Sequence, residues 1–544
     1  MAKWGVLAVL GAAQFLMVLD QAVMNVAISQ LVEDFDTTVT TIQVVIALYA
    51  LTMAALMLIG GKLGDIYGRK RTFVVGICIY ATGSALTGAS WSVPSLTLGW
   101  SILEGIGAAL VLPALVALVA GNFRGKDRAL AYGVLGGVAG AGIAVGPILG
   151  GWVTTDFTWR LVFIGEVVVA AGILLGSRVI REPHREGPAP HLDWFGGVLS
   201  AAGLALIVFG VLQASNWGWL IPRSSPIEPF GLSLTPFVIA AGGVVIAGFR
   251  AWERRREAGG LDPLVHFRLL GISTLRGGVA MLLSQNMILM GIFFTVPLFL
   301  QVVQGLDALE TGVRMLPASV GLFVAALAGS ALSARFAARP VVRVGLAIVF
   351  VSTVMLLGTV EPELDNASFL AAMGVLGVGM GLVISQLGNV VQSSVTDADR
   401  SEAGGLQYTA QQLGSSLGTA VLGAIVISGL IAAFSGNIAA DDAISADVEQ
   451  EVQVRISAGA SFVASDEVRA SAQEAGLDDT TTENLVDDYE DAQLDALRVA
   501  FLFASLIVLA SLWTTRNLPT RSSGDLQAAA AGSSLGAAGS DRRG

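Results

Sequence analysis

The sequence predicts an all-α integral membrane protein with about fourteen transmembrane helices, and three observations carry that expectation. Of 544 residues, 54% are hydrophobic and only 13% charged, whereas an ordinary soluble domain carries about 25% charged residues. The apolar residues are grouped in runs of roughly 18–25, the length a helix needs to cross a ~30 Å hydrocarbon core. Lys and Arg recur in every second connector between the runs, which is how cytoplasmic loops are marked. The abundant glycines, 66 in all, lie within the runs, where small residues let membrane helices approach closely.

In chain order the spans are expected near 4–30, 39–61, 72–90, 95–120, 130–152, 160–179, 194–214, 234–251, 275–303, 311–334, 341–358, 367–390, 404–433 and 496–515. The first follows Lys3, contains Asp20 and Asn25 and lacks a small-residue cleavage pattern, so it reads as a retained helix and not a signal peptide. Connectors after even-numbered spans, with their flanks, hold Lys62, Arg69, Lys70 and Arg71; Arg124, Lys126 and Arg128; Arg178, Arg181 and Arg185; Arg250 and Arg254 to Arg256; and Arg335, Arg339 and Arg343. Those after odd-numbered spans hold mainly Glu33, Asp34, Asp36, Asp156, Glu361, Glu363 and Asp365. Both termini are therefore expected in the cytoplasm, with the chain in the plasma membrane, probe-labelled outside at Asp156 and not at Lys126 or Arg254.

One connector is long. From Asp441 to Asp495 sixteen Asp and Glu stand against Arg455 and Arg469, a net −14 within a chain of formal charge −11. The remainder, +3, is the mild excess that positive cytoplasmic loops give, so the acidity belongs to one outward-facing loop, near 435–492, and bears on no nucleic acid. Ala464, Val468, Ala472 and Ala475 suggest a short amphipathic helix, and Thr480 to Thr482 start another that runs into the last span. The tail 519–544, rich in Ser, Gly and Ala, is expected to be disordered. Cys78 lies in an apolar run and reads as a small core residue, so neither a disulfide framework nor a thiolate metal site is expected. His184, His191 and His266 fall in polar connectors. With no Ser/His/Asp or metal constellation, an enzyme is the least favoured class, and no cofactor is expected.

Between the second and third spans stands Gly61-Lys62-Leu63-Gly64-Asp65-Ile66-Tyr67-Gly68-Arg69-Lys70-Arg71, a glycine-permitted turn with a carboxylate at a helix end and a cluster of cations. By itself it is a positive-inside anchor. Its spacing resembles the major facilitator signature G-x-L-x-D-x-x-G-R-[RK], in which the loop latches the two halves. The resemblance makes Asp65 and Arg69, on the turn set by Gly61 and Gly68, gating residues. A worn second copy stands at Arg335 to Pro340, as internal repeats in such transporters predict. In the fifth span Gly142, Gly146, Pro147, Gly150 and Gly151 form a small-residue face and a bend, which helix packing alone could explain. Their order resembles the motif of facilitator-superfamily exporters.

Leu19-Asp20 with Asn25-Val26-Ala27, Asp193 to Gly196, Pro263-Leu264, Pro297 to Gln301, and Gln411 to Gly418 are similar to the fourteen-helix drug:proton antiporter family. That resemblance implies a major facilitator fold: six-helix bundles at 1–182 and 271–518, joined by a linker, 183–270, that adds two central helices. It implies a monomer in a bacterial membrane that exports amphipathic, mainly cationic or neutral compounds in exchange for protons. The sequence departs from the family where helix 4 reads Ser101-Ile102-Leu103-Glu104-Gly105 without its arginine, and where Gly165-Glu166-Val167 replaces an Asn-x-Pro region.

Three acids thus lie inside first-half spans: Asp20, Glu104 and Glu166. An ionised carboxylate in hydrocarbon costs at least a few kcal/mol, so each should face the central cavity, be protonated or bind a cation. With Asn25, and with Tyr408 and Gln411 from the second half, they are the candidate proton-coupling and substrate residues. Glu166, nearer the outer end of its helix, is expected to meet cations by itself. Gln285, Asn286, Gln386 and Asn389 are polar too, but such residues more often glue helices together. A dedicated exporter of one lipid or secondary metabolite shares every motif above, and a membrane sensor using the acidic loop is a weaker alternative.

Overall fold

Polar side chains at the expected starts satisfy the free N–H groups that every helix leaves. Thr38 accepts from the backbone N–H of Thr41, Asp193 from Gly196, Asp365 from Ala367 and Asp478 from Thr481. The computed structural model describes residues 2–123, 125–182, 191–332, 335–396, 399–440, 444 and 462–520, and all regular structure among the described residues is helical. Most of the acidic stretch before residue 462, the start of the 183–270 linker, His184 and the tail from 521 lie outside them.

Among the described residues fourteen helices are long: α1 Ala2–Val26, α2 Val39–Tyr67, α3 Arg69–Gly88, α4 93–122, α5 Gly125–Asp156, α6 Arg160–Gly176, α7 Trp194–Trp217, α8 Thr235–Ala258, α9 Ser273–Leu298, α10 Ala308–Leu332, α11 Ala338–Leu357, α12 Asn366–Ser393, α13 Arg400–Ala440 and α14 Asp479–Thr514. Thirteen are long and apolar enough to cross a membrane. The remaining one, α3, has 20 residues, with Arg69, Lys70 and Arg71 in its first turn and Gly, Ser and Thr diluting its apolar run. It packs against α4 and α6.

Two expectations need correction. The first span does not run unbroken to residue 30: α1 stops at Val26, and a short helix, Ile28–Asp34, follows. At that break the Gln301 side chain donates to the Val26 carbonyl at 2.8 Å and accepts from the Ser29 N–H at 3.2 Å, replacing the helical bonds the bend removes. As expected, the helix that starts beside Thr480, capped by Asp478, runs unbroken into the last membrane segment. Cys78 is exposed on α3 and is not a core residue.

Within the first half, α1 packs on α5, α2 and α3 on α4, and α3 on α6; within the second, α9 packs on α13, α10 on α12, and α11 and α13 on α14. The halves meet directly, α2 on α13 and α5 on α10. The two extra helices are central in sequence but not in space. They pack on each other, and α7 leans on α2 and α13 beside the seam.

Candidate proton and substrate site

Helix α4 opens with Val93–Leu96, widens into a π-helical segment, Thr97–Glu104, and returns to α-helix at Gly105–Asn122. Such widened turns often mark functional positions. Here the segment ends on Glu104. Close approach to α3 is possible because Gly83 has no side chain: a β-carbon there would stand 2.6 Å from Glu104 Cγ. On α5, Gly142 and Gly150 press on Val18 and Val23 of α1, at 3.1 and 3.0 Å from where a β-carbon would be, and Gly146 on Ala22. These three glycines pack α5 against the helix that carries Asp20. Gly151 faces the other way, onto the Ala308 carbonyl of α10, while the Pro147 carbonyl is met by Gly312 of α10.

The structure brings Asp20, Glu104 and Glu166 together. One carboxylate oxygen of each lies within 4.8 Å of the others, although the residues come from α1, α4 and α6. They are 0, 0 and 2% exposed. Asp20 Oδ1 accepts from Trp100 Nε1 at 2.8 Å, Glu104 Oε1 from Thr87 Oγ1 at 2.9 Å, and Glu166 Oε2 from Ser84 Oγ at 2.7 Å and the Tyr80 hydroxyl at 3.0 Å. Asp20 Oδ2, Glu104 Oε2, Glu166 Oε1 and the Tyr49 hydroxyl are buried without a partner. Among the described residues no ion pair reaches these acids. Ser101, where the family has arginine, donates instead to the Val45 carbonyl at 2.8 Å.

None of the three acids opens onto the space between the halves. A narrow cleft there, about 10 Å³ and so roughly the volume of one water, is lined in part by Gln21, Asn25, Tyr49, Trp100, Ser415 and Thr419. Tyr49 and Trp100 stack with ring centroids 4.5 Å apart and planes 6° from parallel. Trp100 therefore touches both compartments: its ring lines the cleft and its N–H holds Asp20. The expectation that Glu166 meets cations by itself does not fit this geometry, since it is buried with the other two acids.

Of the other candidates, Asn25 lines the cleft and donates to the Gln21 carbonyl at 2.8 Å. The Tyr408 hydroxyl crosses to Gln14 Oε1 at 3.2 Å. Gln412, not Gln411, pairs across the halves with Gln21 at 3.0 Å; Gln411 gives its carbonyl to Ser415. Asn286 and Gln386 bond to their own helix or to the neighbouring Gly329 carbonyl, as helix glue. In the signature loop Asp65 and Arg69 pair at 3.3 Å, and Glu182 accepts from the N–H groups of Arg69 and Lys70 at 2.7 and 2.9 Å. Gly68 has φ +102° there, a conformation that favours glycine. Lys62 reaches the Pro263 carbonyl beyond α8 at 2.9 Å, so the loop ties the first half to the connector before α9.

A sequence profile of the Major Facilitator Superfamily matches residues 10–419. The chain belongs to that superfamily. It is 32% identical over 432 residues, 78% of this chain and 72% of the relative, to the protein described as a probable actinorhodin transporter of Streptomyces coelicolor. It is 30% identical over 424 residues to the multidrug efflux pump LfrA of Mycolicibacterium smegmatis, covering 78% of this chain and 80% of that one. A crystal structure of a bacterial homologue of the human lysosomal transporter Spinster superposes with TM-score 0.58 at 15% identity, over 95% of this chain and 98% of that one, and so shares the fold. The facilitator is a multi-pass membrane transport protein of the drug and antibiotic exporter kind, and not an enzyme.

Proposed function

We propose that this facilitator exports amphipathic, mainly cationic or neutral drug-like compounds across the plasma membrane by alternating access, and that Asp20, Glu104 and Glu166 together carry the protons exchanged. The observation that carries this reading is the cluster of three buried acids without a fixed counter-cation. At an effective dielectric of about 20, two ionised carboxylates ~5 Å apart repel by ~3 kcal/mol. The cluster is stable when dry only if its charge is neutralised, and protons arriving from one side and leaving to the other would do so. The stacked Tyr49–Trp100 pair separates this site from the narrow cleft between the halves, which holds about one water here and must widen to admit substrate. Substrate that displaces the Trp100 ring pulls its N–H from Asp20, which couples the two events without contact between substrate and proton.

Export rather than uptake is supported by the order of small residues in α5, which resembles the exporter motif, and by the exporters among the relatives. A second reading, a dedicated exporter of one secondary metabolite, is favoured by the relative associated with actinorhodin. A substrate panel of cationic, neutral and anionic compounds, tested in proteoliposomes under an imposed proton or sodium gradient, separates the readings. Proton-driven efflux of several unrelated cationic and neutral compounds is expected. Efflux of a single chemical class would favour the dedicated exporter, and efflux driven by sodium alone would remove the protons from the account.

A further inference from the structure

Helix α8 packs mainly on α7, and little of it is buried. Between α8 and the body of the molecule a cavity of about 740 Å³ remains, within the ~300–1,000 Å³ range of small-molecule sites. Its walls are apolar: Leu58 of α2, Leu204 of α7, Phe267 before α9, and Leu406 of α13. On the α8 side Gly243 and Ala247 keep the space open, and both are exposed at its mouth. A β-carbon on Gly243 would meet nothing within 4 Å.

Two features make this more than a packing gap. Arg250 and Arg254, four residues apart on α8 and so on one face, stand at its rim and are exposed. Neither has an acceptor among the described residues, whereas Arg256 nearby is engaged by Asp193 and by the Asp262 carbonyl. In addition, Thr409 lines the cavity, and its buried hydroxyl has no partner among the described residues. Two exposed guanidinium groups at the rim of an apolar cavity match a ligand with an anionic head and a long apolar tail.

We propose that this cavity binds an anionic phospholipid, an acyl chain filling the apolar space and the phosphodiester lying on Arg250 and Arg254. Lys62, Asp65 and the connector that Lys62 holds lie at the same end of the bundle, where positive-inside loops meet anionic headgroups. The lipid then adds to the apolar cluster in which Phe249 of α8 already sits with Leu58 of α2 and Leu406 of α13.

Native mass spectrometry and thermal melting of the purified full chain, with phosphatidylglycerol, phosphatidylcholine or glycerol phosphate added, test the assignment. Phosphatidylglycerol is expected to remain bound and to raise Tm by several degrees; phosphatidylcholine and the tail-less glycerol phosphate should do neither. Arg250→Gln with Arg254→Gln should weaken retention about 30-fold, the product of two screened ionic contacts. Gly243→Trp, at a position on the cavity wall where a β-carbon meets nothing within 4 Å, narrows the space and should weaken retention with both arginines intact. Equal retention of the two lipids, binding that survives both variants, or no phosphatidylglycerol bound by the wild type would each overturn the proposal. Displacement of the lipid by an anionic amphipathic drug, with phosphatidylglycerol weaker than the drug, would assign the cavity to substrate instead.

Discussion

Trp100→Phe isolates the link between cleft and acid cluster. Phenylalanine keeps a ring to stack on Tyr49, now 4.5 Å away, but removes the N–H that Asp20 Oδ1 accepts at 2.8 Å. Asp20 Oδ2 already lacks a partner, so the substitution leaves both oxygens of a fully buried acid without one. A hydrogen bond to a charged group contributes roughly 1.5–3 kcal/mol, which corresponds to about a tenfold to hundredfold change in the balance between states of the site. The ring volume lost is small, so the protein should still fold and bind substrate. In proteoliposomes, the variant should show substrate counterflow near the wild-type rate, while proton-driven accumulation falls by at least about tenfold. Accumulation unchanged, with counterflow also unchanged, would refute the idea that Trp100 transmits substrate occupancy to Asp20.

Other outcomes follow from the same geometry. Gly146→Val should reduce folded yield or Tm, since even a β-carbon collides with Ala22 and overpacking costs ~1–3 kcal/mol; Gly136→Ala, where a β-carbon meets nothing, should be silent in the same melting assay. Glu182→Ala removes the acceptor of two backbone N–H groups at the start of α3 and should lower transport at unchanged substrate affinity, whereas Glu182→Gln should retain much of it. A cysteine at Asp156 should react with an impermeant maleimide on intact cells while one at Arg254 does not; the reverse would invert the topology.

Much of the fold was legible because a bilayer imposes a length and an apolar composition on every span, and its caps are local. Asp193, Asp365 and Asp478 announce helix starts within three residues of the groups they satisfy. The break after Val26 was hidden, since Gln301, 275 residues away, stabilises it. The three acids stood out as charges in apolar runs, but their separation in sequence says nothing of their meeting in space, with one oxygen of each within 4.8 Å of the others. Tyr49, Tyr80, Ser84, Thr87 and Trp100 were passed over because tyrosine, tryptophan and hydroxyl residues are ordinary in membrane helices. Their significance lies in what they touch. Gln411 and Gln412 show the limit of motif reading: the match includes both, and only the direction of the helix face decides that Gln412 crosses to Gln21.

If Asp20, Glu104 and Glu166 carry the exchanged protons, substrate binding in the cleft should drive protons off the cluster. Proton release on substrate binding can be read directly from purified protein in weakly buffered detergent with a pH indicator. The wild type should release protons when a transported cation is added, and the variant combining Asp20→Asn, Glu104→Gln and Glu166→Gln should release none while still binding that cation. Release of equal size from the triple variant would contradict the account and move the exchange to other groups, foremost the Asp65 and Arg69 loop.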